Sequence, residues 1–177
     1  ANSSLASFNR AAPSWSAEQL AANGIYEVVY DNTNLKDSRF YNNGAESFTF
    51  ANDTVTASYT AAVGKALDDV NATDENDVEL DPVVVISGVK SIEKNQIKAQ
   101  AASLLQSTDW YVVRNAESST AVPANVSTYR TAVRTKSNEM ETAIDGAATV
   151  EAVEALFTYT TGADDVTSRP LGKWPKL

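Results

Sequence analysis

Between residues 124 and 145, Val126, Tyr129, Val133, Ser137, Met140 and Ile144 recur at steps of three and four. That spacing marks one face of an α-helix and fits no face of a strand. A stripe this long must be buried against other elements, so part of the chain has to fold as packed helices. The pattern predicts a helix from about Ala124 to Asp145, stopped by Gly146. Thr149-Val150-Glu151-Ala152 opens a further helix with Val150, Val153, Leu156 and Phe157 inward. Upstream, Ile92, Ile97, Ala101, Leu104 and Leu105 fall at near-helical spacing, with Lys90, Lys94 and Lys98 on another face. This helix pauses near Ser107-Thr108, and Thr108 or Asp109 can cap a short helix through Arg114. Ser118 to Pro123 reads as a loop.

The front of the chain has a different period. Ser16-Ala17-Glu18-Gln19 is a capping-box pattern, and Gly24 suits the position after a two-turn helix over 16–22. Ile25 to Tyr30 is rich in β-branched and aromatic residues. Arg39-Phe40-Tyr41 and Ser47-Phe48-Thr49-Phe50 flank Asn42-Asn43-Gly44, whose Asn-Gly is a hairpin signal. Asn52-Asp53 makes a second turn, after which Thr54 to Tyr59 alternates with period two. Phe48 and Phe50 can then share a face with Val55, Ala57 and Tyr59. We therefore expect an α+β fold: a small antiparallel β-meander with one buried face, followed by a C-terminal bundle of three to four helices. The expected organisation is an extended arm (1–15), a short helix plus meander (16–67), an acidic linker with a short strand at Val83–Ile86 (68–88), the bundle (89–160) and a tail (161–177).

Cysteine and histidine are both absent. Disulfides, thiolate and imidazole nucleophile pairs and the usual zinc sites are thereby excluded. The formal charge of −9 is concentrated in Asp68, Asp69, Asp74, Glu75, Asp77, Glu79 and Asp81, without which the balance is −2. Such a run lacks the glycine and terminal glutamate of a calcium loop and reads as a solvated linker. Nothing brings two carboxylates into a cleft for hydrolase work. Gly44, Gly64 and Gly88 stand alone, without a phosphate-cradling loop, and the three lysines read as a solvated helix face. The acidic balance disfavours nucleic acid and anionic lipid. No apolar run approaches the ~18–20 residues of a membrane span. We expect no enzyme activity, no cofactor, metal or small-molecule substrate, and neither nucleic acid nor membrane as partner.

Aromatic bulk lies beside arginine in two blocks, Thr108 to Arg114 and Tyr129 to Arg134. Arg130 and Arg134 share a helix face next to the apolar stripe, so their stems can cover Trp110 or Tyr111. Their guanidinium groups can pair with Glu117, Glu139 or Asp109. Asp109, Trp110, Tyr129, Arg130 and Arg134 thus form a candidate structural joint, a helix end over which the next helix closes. Phe8, Trp15, Trp174 and Pro175 are candidate partner contacts.

The blocks Leu104-Leu105-Gln106-Ser107-Thr108-Asp109-Trp110, Tyr129-Arg130-Thr131-Ala132-Val133-Arg134 and Trp174-Pro175 resemble the tail-fibre-associated, tail assembly chaperone-like proteins of tailed bacteriophages. Leu20 to Val29 resembles the helix, glycine and strand opening of relatives with a β section before the helices. The resemblance implies a virion structural protein, tail, fibre or baseplate associated, assembled in the host cytoplasm. It would act by protein–protein contact with other phage structural proteins, as part of a symmetric assembly. A non-virion tail-fibre assembly chaperone and a head decoration protein are the alternatives. The resemblance brings no catalytic residues.

Overall fold

In a computed structural model, residues 15–177 are described, and the arm candidate Phe8 lies outside them. The protein is α+β. It divides into two units: one within residues 1–37 and 42–63, the other formed by 38–41 and 64–177.

The first unit begins with α1 (Ala17–Ala22), whose capping box is formed: Gln19 N–H donates to Ser16 Oγ, and Ser16 N–H to Gln19 Oε1. The sheet is built from β1 (Val28–Asp31), β3 (Glu46–Ala51) and β4 (Thr54–Tyr59), in the order β1-β4-β3. The intervening β2 (Tyr41–Asn42) pairs with β5 (Val63–Gly64). Strands β3 and β4 form an antiparallel hairpin, with Phe48 opposite Ala57 and Phe50 opposite Val55. Its turn is Asn52-Asp53, both at positive φ, as the tight hairpin turn requires.

Three expectations are corrected here. Strand β1 runs parallel to β4, Val28 beside Val55 and Tyr30 beside Ala57, so the sheet is mixed and not an antiparallel meander. The chain between them is long enough for the crossover that a parallel pair demands. Nor is Asn43-Gly44 a hairpin turn. The Asn43 side chain brackets the Lys36 backbone, and a Cβ on Gly44 would strike Thr60. The sheet also lacks a buried face. Only Ala57 is buried, while Tyr30, Phe48 and Phe50 stay exposed and Tyr26 stacks on Phe50 at 4.5 Å.

The second unit contains β6 (Val70–Asn71), β7 (Val85–Ile86), α2 (Val89–Gln106), α3 (Asp109–Ser118), α4 (Ala124–Gly146), α5 (Val150–Phe157), β8 (Thr160–Thr161) and β9 (Thr167–Ser168). Helix α4 buries Val126, Tyr129, Val133, Ser137, Met140 and Ile144, the stripe read from the sequence, together with Arg130. It packs antiparallel to α2, as the pairs Lys94–Asp145 and Lys98–Glu141 at one end and Leu105–Arg130 at the other require. Ile97, Met140, Ile144 and Leu171 form one apolar cluster; Ala101, Tyr129 and Val133 form a second. Trp174 packs on both and donates its indole N–H to Gln100. Thr149 caps α5 through Ala152 N–H.

The buried stripe of α2 is Val89, Glu93, Ile97 and Ala101, with Ile92 exposed. Glu93 takes the place of Ile92 because a cation meets it there. Arg39 reaches its carboxylate at 2.7 Å, and the Glu93 side chain is only 2% exposed. The short segment 38–41 supplies this cation and, beside it, Phe40, which is 1% exposed. Its ring lies 6.0 Å from Phe157, and the Arg39 guanidinium sits over both rings.

Tyr41 is buried and donates to Glu154 Oε2 at 3.1 Å. Burial first, then that carboxylate, pushes its hydroxyl up to about 12. The folded state therefore holds this proton more tightly than the unfolded chain. The stabilisation is complete below pH ~10, where an unperturbed tyrosine keeps its proton, and is lost as pH rises toward 12. Tyr41→Phe is expected to flatten the stability decline over that range, as measured by denaturant titrations at stepped alkaline pH.

The acidic stretch read as a linker is folded as an irregular hairpin of the second unit. Val70 pairs with Ile86 and Asn71 with Val85; Ala72 N–H donates to Val84 C=O, and Leu80 N–H to Ala72 C=O. Several acids have structural work that replaces mutual repulsion. Asp74 accepts from Asn76 and Val78 N–H and closes the tip. Asp69 accepts from Gly88 N–H at the start of α2, which holds its carboxyl below the usual range. Val89 and Lys90 N–H donate to Ala66 and Leu67 C=O, so the chain entering the hairpin satisfies the first turn of α2. At this crossing a Cβ on Gly88 would lie 2.4 Å from the Asp68 backbone. Gly88→Ala is expected to destabilise the second unit by about 2 kcal/mol, the order of an overpacking strain that backbone cannot relieve. Thermal unfolding followed by circular dichroism measures it.

Candidate functional site

The two motif blocks meet where α2 ends. A helix C-terminus leaves its last carbonyls without intrahelical donors, and here α4 supplies them. Tyr129 donates its hydroxyl to Leu104 C=O at 3.3 Å. Arg130, 7% exposed, donates through Nη1 to Leu105 C=O at 3.0 Å and to Thr108 Oγ1 at 2.6 Å. Thr108 is itself buried, and its hydroxyl donates back to Leu105 C=O at 2.8 Å. The same Nη1 lies 2.9 Å from Asp109 Oδ1, whose side chain is half exposed. One guanidinium nitrogen, Nη1, thus gathers a carbonyl, a hydroxyl and a carboxylate around the α2–α3 junction.

Of the five joint candidates, the structure brings Asp109, Tyr129 and Arg130 together. Arg134 lies exposed on α4. Trp110 is 52% exposed, and no helix closes over it. The cation above its ring is Arg114 from its own helix, 4.5 Å from Trp110 and 5.4 Å from Tyr111, not Arg130 or Arg134. Trp110 therefore points outward with an arginine laid across it. Thr108 is the joint residue the sequence reading placed elsewhere. Thr108, one of the two cap candidates with Asp109, does stand at the N-cap of α3, but its hydroxyl makes no cap bond and serves the α2 end. The signal that would have found it is the Arg130 spacing, since a buried guanidinium needs more than one acceptor.

Helix α3 buries none of its ten residues. Val113, one turn on from Trp110, and Val112 on the other side of the helix are also exposed, so α3 presents apolar surface that no described residue covers. The lysine row of α2 has another fate. Lys90 pairs with Asp68, Lys94 with Asp145 and Lys98 with Glu141. Among the candidate partner contacts, Trp15 is exposed, whereas Trp174 is engaged by the helical core and Pro175 is half buried.

Chemically, this arrangement holds a helix junction rigid and leaves aromatic and aliphatic side chains facing solvent next to it. Large exposed apolar side chains gathered on one projecting element mark protein-binding surface more often than isolated ones do. Compared with protein-family models, curated proteins and solved structures, the chain matches none.

Proposed function

We propose that the chain is a structural component of a tailed-phage particle, associated with tail, fibre or baseplate, and that it works by protein–protein contact. The observation that carries the contact role is α3: Trp110, Val112 and Val113 are exposed on a helix none of whose residues is fully buried. Tryptophan is the side chain most often found as a binding hot spot, and Arg114 over its ring pre-orients it. The particle assignment rests on the motif resemblance, whose residues supply the Arg130 junction. In this reading the fold is a small β part followed by a helical bundle, and the bundle carries the contact helix.

Mass spectrometry of gradient-purified particles tests the assignment. The chain is expected among the particle proteins in a fixed ratio to tail components. Finding it only with unassembled fibre subunits would transfer it to the assembly-chaperone role, and finding it in neither would remove the phage reading.

A further inference from the structure

The hairpin of residues 68–88 has an open edge of an unusual kind. Solvent-facing edge strands are normally blunted by charge, proline or burial, because their unpaired amides recruit other strands. Here Val83, Val84, Val85 and Ile86 are four apolar residues in succession, all exposed. Among the described residues, strand β7 pairs on one side only, with β6. Val84 turns its carbonyl toward Ala72 N–H at 2.7 Å, so the alternation of the backbone turns the polar groups of Val85 toward the open edge. The side chains continue the theme. Val70, Leu80, Val84 and Ile86 are all exposed, and the strand register places Val70 beside Ile86.

Charge decides what can pair there. Seven carboxylates lie between residues 68 and 81, with no lysine or arginine among them. Asp69 and Asp74 are committed to backbone amides, Asp68 to Lys90 and Glu79 to Asn71. Glu75, Asp77 and Asp81 remain exposed around the tip and before the second arm of the hairpin. A second copy would bring a like-charged hairpin against this one. An anionic lipid surface or nucleic acid meets the same repulsion. A segment bearing lysine or arginine between apolar residues satisfies both the edge and the charge.

We propose that β7 accepts an extended, basic segment of a different protein by strand addition, with main-chain bonds giving affinity and the acidic rim giving selectivity. This names the partner chemistry for the contact role above. It is tested on the isolated chain, so its failure leaves the particle assignment standing.

The probe is an acetylated octapeptide of alternating valine and lysine, titrated into the full-length chain by fluorescence anisotropy. One-to-one binding is expected, weakened at least tenfold on raising NaCl from 50 to 500 mM on the order that screening of exposed charge implies. Val85→Pro removes the outward amide while leaving the β6 pairing free to form, and is expected to reduce affinity at least tenfold. The same loss is expected for wild-type chain with a peptide N-methylated at alternate amides, which keeps the test intact should Val85→Pro disturb the hairpin. Equal binding of an alternating serine–lysine peptide, or undiminished binding of the N-methylated one, would overturn strand addition in favour of diffuse charge attraction. No binding of the valine–lysine peptide overturns the proposal outright. Self-association by sedimentation that Val85→Pro abolishes would give the edge to a second copy instead.

Discussion

Replacing Arg130 by methionine is expected to lower the stability of the helical unit by about 3 kcal/mol, within the range for removing one member of a buried polar network. Methionine preserves most of the stem packing, so the loss reports the hydrogen bonds. Once the guanidinium is gone, the buried Thr108 Oγ1 loses its donor, while Leu105 C=O keeps the Thr108 hydroxyl and amide. Lysine at this position is expected to recover only part of the loss, because it keeps a charged donor but loses the planar, pre-organised guanidinium. Asp109→Asn should be far milder, under ~1 kcal/mol, since its carboxylate is half exposed and water replaces the pair. A double-mutant cycle therefore gives a larger coupling for Arg130 with Thr108 than for Arg130 with Asp109. Denaturant unfolding with amide exchange on α2 and α4 resolves both. Equal couplings would mean that the ion pair, and not the buried hydroxyl, holds the junction.

The second large effect is expected at Phe40. Phe40→Ala removes a wholly buried ring from the second unit and should destabilise it by about 4 kcal/mol, the usual range for a core phenylalanine. The consequence extends to charge. Arg39 sits over the Phe40 and Phe157 rings and holds Glu93 at 2.7 Å. Loss of the ring loosens the platform that positions this arginine, leaving a buried carboxylate less well compensated. Phe40→Leu, which refills most of the space, should recover more than half of the loss. Amide exchange at Val133 and Ile97 reports the second unit; an unchanged exchange rate there in Phe40→Ala would show that segment 38–41 is not part of its core.

The elements that could be read from the sequence are those whose signal is local. The α4 stripe from Val126 to Ile144 is buried residue for residue, because a 3.6-residue period specifies both the helix and its inner face. The Ser16–Gln19 cap and the Asn52-Asp53 turn are equally local. What could not be read depends on distant partners. Glu93 carries a charge and so is excluded from any apolar stripe, until Arg39 from another segment neutralises it. The parallel pairing of β1 with β4 is set by the path of the chain between them, which composition does not encode. Asn43-Gly44 carries a strong hairpin signal, but its glycine is needed for close approach to Thr60. The acidic stretch reads as a solvated linker by charge alone. It folds because Asp69 and Asp74 accept backbone amides, and turn chemistry of that kind outweighs mutual repulsion at separated tips.

The candidate site shows the same division. Arg130, Tyr129 and Asp109 were legible as a joint because Tyr129 belongs to the apolar stripe, Arg130 borders it, and Asp109 offers a carboxylate at the preceding helix end. The outward turn of Trp110 was not, because an aromatic at a helix start serves core and surface alike, and only the tertiary path decides. The motif that marks the resemblance therefore builds an internal junction. Two surfaces proposed for partners are α3, whose first half the motif block contains, and the hairpin of residues 68–88, which no motif marks.

Hydroxyl-radical footprinting tests this separation of junction from contact surface most directly, by comparing the isolated chain with the chain in gradient-purified particles. Trp110, Val113 and the Val83–Ile86 edge are expected to become protected in the particle, while Leu104, Leu105 and Tyr129 keep the same low reactivity in both. Unchanged labelling of α3 and the hairpin in particles, or protection confined to other surfaces, would contradict the account.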